Sequence, residues 1–150
     1  MSQSTEQTII QTSQTKPQSN PLEDTLVYDI GNNRYINLCN KCTLRCHFCP
    51  KNHDEWQVHE HDLSLGKSPK SLDILAQLGD VTHFDEIVFC GFGESTLRLK
   101  ELLFIAAEIK KRGGKTRLNT DGLANLVYGR NVLPDMAKVI DCLSISLNAQ

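Results

Sequence analysis

The chain has 150 residues, with 16 Lys and Arg against 18 Asp and Glu, a formal charge of −2, 39% hydrophobic and 23% charged residues. Those proportions describe one soluble domain with enough apolar residues for a core, and they exclude collagen-like, wholly disordered and electrostatic nucleic-acid-binding classes. No uninterrupted apolar run approaches the roughly 18 residues of a membrane span. The N-terminus also lacks the basic-then-apolar order of a secretory signal, so the expected location is the cytoplasm.

Met1 to Pro21 are mostly Gln, Ser, Thr and Pro, with Ile9 and Ile10 as a side-by-side apolar pair. Burial there cannot offset the ordering entropy, so residues 1–24 are expected to be a disordered polar tail, the two isoleucines being its one candidate docking segment. The core spans 25–150. Thr25 to Ile30 reads as a strand, Gly31-Asn32-Asn33 as a turn, and Tyr35 to Leu38 as a second strand completing a hairpin. The polar stretch Lys51 to Lys67 keeps neither period and reads as loop. Pro69 suits the first turn of a helix reaching Leu78, with Leu72, Leu75 and Leu78 spaced to share a face.

Glu86 to Cys90 is a short apolar run of the kind found in parallel strands, and it opens into Gly91-Phe92-Gly93-Glu94. Leu99 to Arg112 places Leu102, Leu103, Ile105, Ala106 and Ile109 at helical spacing. Lys110, Lys111 and Arg112 complement the helix dipole, and Gly113-Gly114 supplies a C-cap. Thr116 to Thr120 is the next strand, Pro134 to Ile140 a short helix, and Cys142 to Asn148 a last strand. This alternation implies an α/β fold of parallel strands joined by right-handed crossovers.

Six cysteines are many for such a chain, and four of them, Cys39, Cys42, Cys46 and Cys49, fall within eleven positions. Without a signal peptide, clustered thiols point to a metal or catalytic centre rather than to disulfides. Cys90 and Cys142, in apolar runs, read as buried small hydrophobes. Cys42-x3-Cys46-x2-Cys49 lies on a loop directly after a strand. Zinc and iron–sulfur clusters both accept thiolates. A structural zinc fills four positions, whereas three ligands on a four-iron cube leave one iron open.

The triplet, with Phe48 as the aromatic residue before its last cysteine, resembles the signature of the radical S-adenosylmethionine (SAM) enzymes. The resemblance implies that Cys42, Cys46 and Cys49 hold a [4Fe-4S] cluster whose fourth iron is chelated by SAM. It also implies that Gly91, Phe92, Gly93 and Glu94 form the glycine-rich turn that binds the SAM amino group. Glycines suit close backbone approach, and an acceptor-only carboxylate suits an ammonium.

The phrases Tyr35-Ile36-Asn37-Leu38, Phe48-Cys49-Pro50, Val88 to Glu94, Leu118-Asn119-Thr120 and Ser144 to Ala149 are similar to the TatD-associated radical SAM family over about residues 25–149. That likeness implies that Asn119, Ser144, Ser146 and Asn148 lie near the ribose or methionine parts of SAM. It implies reductive cleavage of SAM to methionine and a 5′-deoxyadenosyl radical, with flavodoxin or ferredoxin as electron donor. The substrate is unspecified, and nothing signals a membrane or a nucleic acid as partner.

Cys39 stands where that family is expected to carry Thr, and Ser95 where the superfamily commonly has Pro. Cysteines 39, 42, 46 and 49 together are enough to close a zinc site or a fully ligated electron-transfer cluster, leaving the Gly91 to Glu94 turn with no ligand to serve. His53, His59 and His61 with Asp54, Glu55, Glu60 and Asp62 read as a solvated loop rather than a second metal site. Trp56 reads as a packing anchor for a lid, Lys110 to Arg112 as a helix end, and Asp121-Gly122 as turn chemistry before ribose contact.

A closed eight-fold barrel needs about 250 residues. The expectation is therefore a partial (β/α) barrel of the radical SAM type, with about four parallel strands after a short hairpin, from a C-terminally shortened or fragmentary member. Its last strand is expected to present an unpaired edge that favours poor solubility or self-association.

Overall fold

The computed structural model describes residues 24–148. The expected tail lies outside that range except for Asp24, whose carboxylate accepts the Gly66 N–H at 2.9 Å. Strand β1 (Val27–Ile30) turns through Gly31, at φ +59°, into antiparallel β2 (Asn33–Ile36). After the cysteine loop come a 3-10 turn (Pro50–His53), the two-residue strands β3 (Gln57–Val58) and β4 (His61–Asp62), and helix α1 (Ser71–Leu78). Strand β5 (Ile87–Phe89), a 3-10 turn (Ser95–Arg98), α2 (Leu99–Lys111) and β6 (Thr116–Thr120) follow, then α3 (Ala124–Tyr128), α4 (Leu133–Met136) and β7 (Cys142–Ile145).

The main sheet runs β1-β2-β5-β6-β7, with parallel pairing from β2 through β7 and an antiparallel edge at β1. Four parallel strands with a leading hairpin are what the alternation of elements implied. Residues paired across neighbouring strands share a face. Ile36, Phe89 and Leu118 therefore lie together on one side, with Ile87 beside them. Helices α1 and α2 cover that side, burying Ile74, Leu75, Leu78, Leu99, Leu102, Ile105, Ala106 and Ile109 against it. Each fully buried large aliphatic side chain contributes about 1.5–3 kcal/mol relative to exposure.

The opposite side of the sheet carries Tyr35, Val88, Arg117, Asn119, Cys142 and Ser144. This face is mostly polar, with Val88 buried on it. Cys142 belongs to it, and Cys90 continues it two residues beyond Val88. Both are only half-buried, a correction to their reading as core residues, because the main apolar cluster gathers on the other face of the sheet.

Other expectations shift in detail. Pro69 sits just before the N-cap Lys70 rather than in the first turn. Leu72 is 71% exposed, because the buried stripe of α1 is Ile74, Leu75 and Leu78, from which Leu72 is rotated by more than a quarter turn. Residues 51–67, expected as loop, contain a 3-10 turn and the β3–β4 hairpin. Pro134 to Ile140 shrinks to the single turn α4, and α3 had no counterpart among the expected elements. The last strand ends at Ile145 rather than Asn148.

The end of α2 follows the composition. Gly113, at φ +84°, donates to Lys110 O at 3.0 Å and Gly114 to Ile109 O at 3.0 Å, which is the Schellman pair of bonds that closes a helix. No helix among the described residues is long and apolar enough to cross a membrane.

Candidate functional site

The loops that leave the C-terminal ends of β2, β5, β6 and β7 meet at one end of the sheet. The first is the cysteine loop. Cys39 and Cys46 are buried, while Cys42 and Cys49 are half-buried, and none of the four is in a disulfide. Cys49 N–H donates to Cys46 O at 3.0 Å, and the Asn52 side chain donates to the same carbonyl at 2.8 Å, winding the last two cysteines into one turn. The Cys39 sulfur instead accepts the Lys41 N–H at 3.3 Å and lies 3.5 Å from Lys41 O, engaged by its own segment. Among the described residues no three Cys, His, Asp or Glu side chains are grouped closely enough to hold a metal ion. The three thiols share one loop. Phe48, immediately before Cys49, is 66% exposed.

The second loop is the Gly91–Glu94 turn, and it packs directly on the first. A Cβ placed on Gly93 would stand 1.9 Å from Cys39 O and 2.7 Å from Lys41 O, so only glycine lets these backbones come so close. Glu94 N–H donates to Lys41 O at 2.7 Å. On Gly91 the added atom would meet Asn37 Oδ1 at 2.6 Å. Asn37 is fully buried and donates to Thr25 O at 3.0 Å and Leu63 O at 2.9 Å, which ties the end of β2 to the segment after β4. Phe92 lies edge-on to Trp56 with ring centres 6.0 Å apart, so Trp56 does anchor the 51–67 segment onto the turn.

Glu94 is only 4% exposed. Its Oε1 accepts Thr96 N–H at 3.0 Å, Thr96 Oγ1 at 2.6 Å and Thr120 Oγ1 at 2.9 Å, and its Oε2 accepts Asp121 N–H at 2.8 Å. The carboxylate thus joins the β5 loop to the end of β6. Oε2, with one protein donor, keeps an acceptor direction for a further one.

The third and fourth loops complete the arrangement. Asn119 and Ser144 are directly paired on the polar face of β6 and β7. Asn119 Oδ1 is buried with no hydrogen-bond donor. Ser146 and Asn148, together with Leu44, Asp121, Leu123 and Leu147, line a cavity of about 410 Å³ beside the cysteine loop. The expected site residues therefore gather at one end of the sheet, with Phe48 facing outward.

Burial pushes the Cys42 thiol above its ordinary value; the charges of Asp121 and Glu94 add to this, while a hydrogen bond from the Leu44 backbone and the charge of Lys51 oppose it. Burial likewise raises Cys90, against a hydrogen bond from Asn119. Tyr28 donates to Cys90 O at 2.9 Å, and its hydroxyl is held well above the usual tyrosine range, first by burial and then by Cys90 and Tyr35.

Sequence reasoning missed Asn37, Thr43, Thr96 and Thr120, and it saw Asp121 mainly as a turn residue. The turn is real, since Asp121 Oδ1 accepts Leu123 N–H at 2.9 Å. Its other oxygen accepts the hydroxyl of Thr43, on the cysteine loop. No local spacing signals that contact.

The sequence profile of the radical SAM superfamily matches residues 36–149. A tungsten-containing aldehyde ferredoxin oxidoreductase cofactor-modifying protein from Pyrococcus furiosus is 33% identical over 91 residues, which is 59% of this chain and 23% of that protein. The chain thus spans about a quarter of that relative's length. No solved structure matches. With the match running from the end of β2 through β7, over every loop of the site, the chain belongs to the radical SAM superfamily.

Proposed function

We propose that the chain binds a [4Fe-4S] cluster through Cys42, Cys46 and Cys49 and SAM beside it, and that it initiates radical chemistry by reductive cleavage of SAM. The observation that carries this reading is the seating of the Gly91–Glu94 turn on the cysteine loop, through Gly93 against Cys39 O and Glu94 N–H on Lys41 O. A closed four-cysteine site would not need a second, glycine-lined loop pressed against it.

The donor set fits the two groups. Three thiols on one loop supply the soft ligands of an iron–sulfur cluster. The unsatisfied Asn119 Oδ1 and the remaining acceptor direction of Glu94 Oε2 suit the hydroxyl and ammonium donors of SAM. When bound, the cluster supplies one electron to the sulfonium, and the resulting bond cleavage is cofactor chemistry.

The protein's part is to hold and shield. Thr96 and Thr120 fix the Glu94 carboxylate from below. Asn37 holds the end of β2 against Gly91. Ser144 and Asn119 offer polar groups on the polar face of the sheet, and Ser146 and Asn148 do so at the cavity rim. Flavodoxin or ferredoxin is the proposed electron donor. The proposal is for radical initiation and does not extend to a substrate, since one initiation step serves many reactions on this scaffold.

Anaerobic reconstitution of the full chain with iron and sulfide tests it. The expected result is about four irons per chain, as a [4Fe-4S] cluster requires, with an EPR signal of the reduced cluster that changes when SAM is added. Substituting Cys42, Cys46 or Cys49 by Ser abolishes the cluster, and Cys39→Ser retains it. A colourless zinc protein, or loss of the cluster in Cys39→Ser, would overturn the reading.

A further inference from the structure

We propose that Asp121 is a positioning residue for the cysteine loop, holding Cys42 in place through Thr43. Asp121 follows β6, whereas Thr43 lies 78 positions earlier in the chain, immediately after Cys42. The Thr43 hydroxyl donates to Asp121 Oδ2. Asp121 is itself fixed at two other points: Oδ1 accepts Leu123 N–H at 2.9 Å, and its own N–H donates to Glu94 Oε2 at 2.8 Å. Its Oδ2 is therefore aimed by the end of the sheet rather than by the loop it holds.

Glu94 grips the other side of the same cysteine, since its N–H donates to Lys41 O at 2.7 Å. Lys41 and Thr43 flank Cys42 and are fastened to consecutive members of one hydrogen-bonded chain, Lys41–Glu94–Asp121–Thr43. Cys46 and Cys49 are held differently, by the local turn that includes Asn52. Cys42 thus depends on long-range contacts that the other two do not need. A ligand restrained before the metal arrives loses less freedom on binding, which is the benefit a supporting residue confers. That consequence rests on the radical SAM reading, whereas the restraint of the loop does not.

Amide hydrogen exchange on the full metal-free chain tests the restraint. Asp121→Ala and Thr43→Val are each expected to speed exchange in residues 42–46 by about tenfold, the effect of losing one charge-assisted hydrogen bond. Asp121→Asn should restore protection, because its oxygen still accepts Leu123 N–H and its amide still pairs with the Thr43 hydroxyl. Protection across β5 and α2 serves as the folding control, and Thr43 is an exposed position whose change leaves the core untouched.

After anaerobic reconstitution, the EPR spectrum of the reduced cluster is expected to broaden in the Ala and Val variants and to return to the wild-type shape in Asp121→Asn. Unchanged loop exchange in both Asp121→Ala and Thr43→Val overturns the restraint. Faster exchange with an unaltered EPR spectrum overturns the positioning role. If exchange responds as expected but wild-type protein assembles no four-iron cluster, the restraint stands and the radical SAM reading of the site fails.

Discussion

Gly93 has no room for a side chain, and what surrounds it is backbone. The carbonyl oxygens of Cys39 and Lys41 lie 1.9 and 2.7 Å from where a Cβ would stand, so relief requires the cysteine loop or the turn to move. Gly93→Ala is expected to lower stability by about 1–3 kcal/mol, the usual cost of forcing atoms into packed space, and denaturant titration would measure it. An unchanged midpoint would show that the two loops separate freely. At this scale the sequence was legible where chemistry is written locally. The spacing of Cys42, Cys46 and Cys49 and the run Gly91 to Glu94 mark their loops without any knowledge of the fold. Thr43 and Asp121 meet only because β2 and β6 end on the same side of the sheet, and no window of sequence contains both.

Among the elements, β6 is fastened at its start by a residue outside it. Asp141, just before β7, accepts the buried Thr116 N–H at 2.8 Å and receives Lys110 Nζ at 2.6 Å. The bond from Lys110, followed by that from Thr116, holds the Asp141 carboxyl below the usual carboxylate range. A carboxyl lowered by folding adds stability that is complete above its unfolded value, about 4, and that is lost as pH falls through the folded value. Asp141→Ala leaves the Thr116 N–H buried without its acceptor, so it is expected to cost about 1–2 kcal/mol at neutral pH. The gap to wild type should narrow below about pH 4. Urea midpoints measured across that range would decide; a gap independent of pH would mean that the charge plays no part.

Element type was readable where a period ran long enough, as in α2 and β6, whose bounds match expectation to within a residue. The misreadings have physical causes. The strands β3 and β4 hold two residues each, too few for an alternation to register. In α1 the leucines at spacing three drift around the helix, and Ile74 rather than Leu72 completes the buried stripe.

At the scale of the whole molecule, the sheet is asymmetric. Its helix side is packed from β2 to β6, but on β7 Leu143 and Ile145 share that side and are 38% and 52% exposed. Among the described residues β7 also has one strand neighbour, which leaves a row of backbone groups unpaired beside an apolar strip. The chain is therefore expected to self-associate as concentration rises. Light scattering would show a growing apparent mass, reduced by Ile145→Lys; a constant monomer mass would overturn this.

The contact between Trp56 and Phe92 has an optical corollary. The chain contains one tryptophan, and it rests on the glycine turn rather than in the core. Native fluorescence therefore originates at the mouth of the site, and an absorbing inorganic group seated on the neighbouring loop would quench it by energy transfer. The unlabelled protein carries its own gauge of whether that corner is filled.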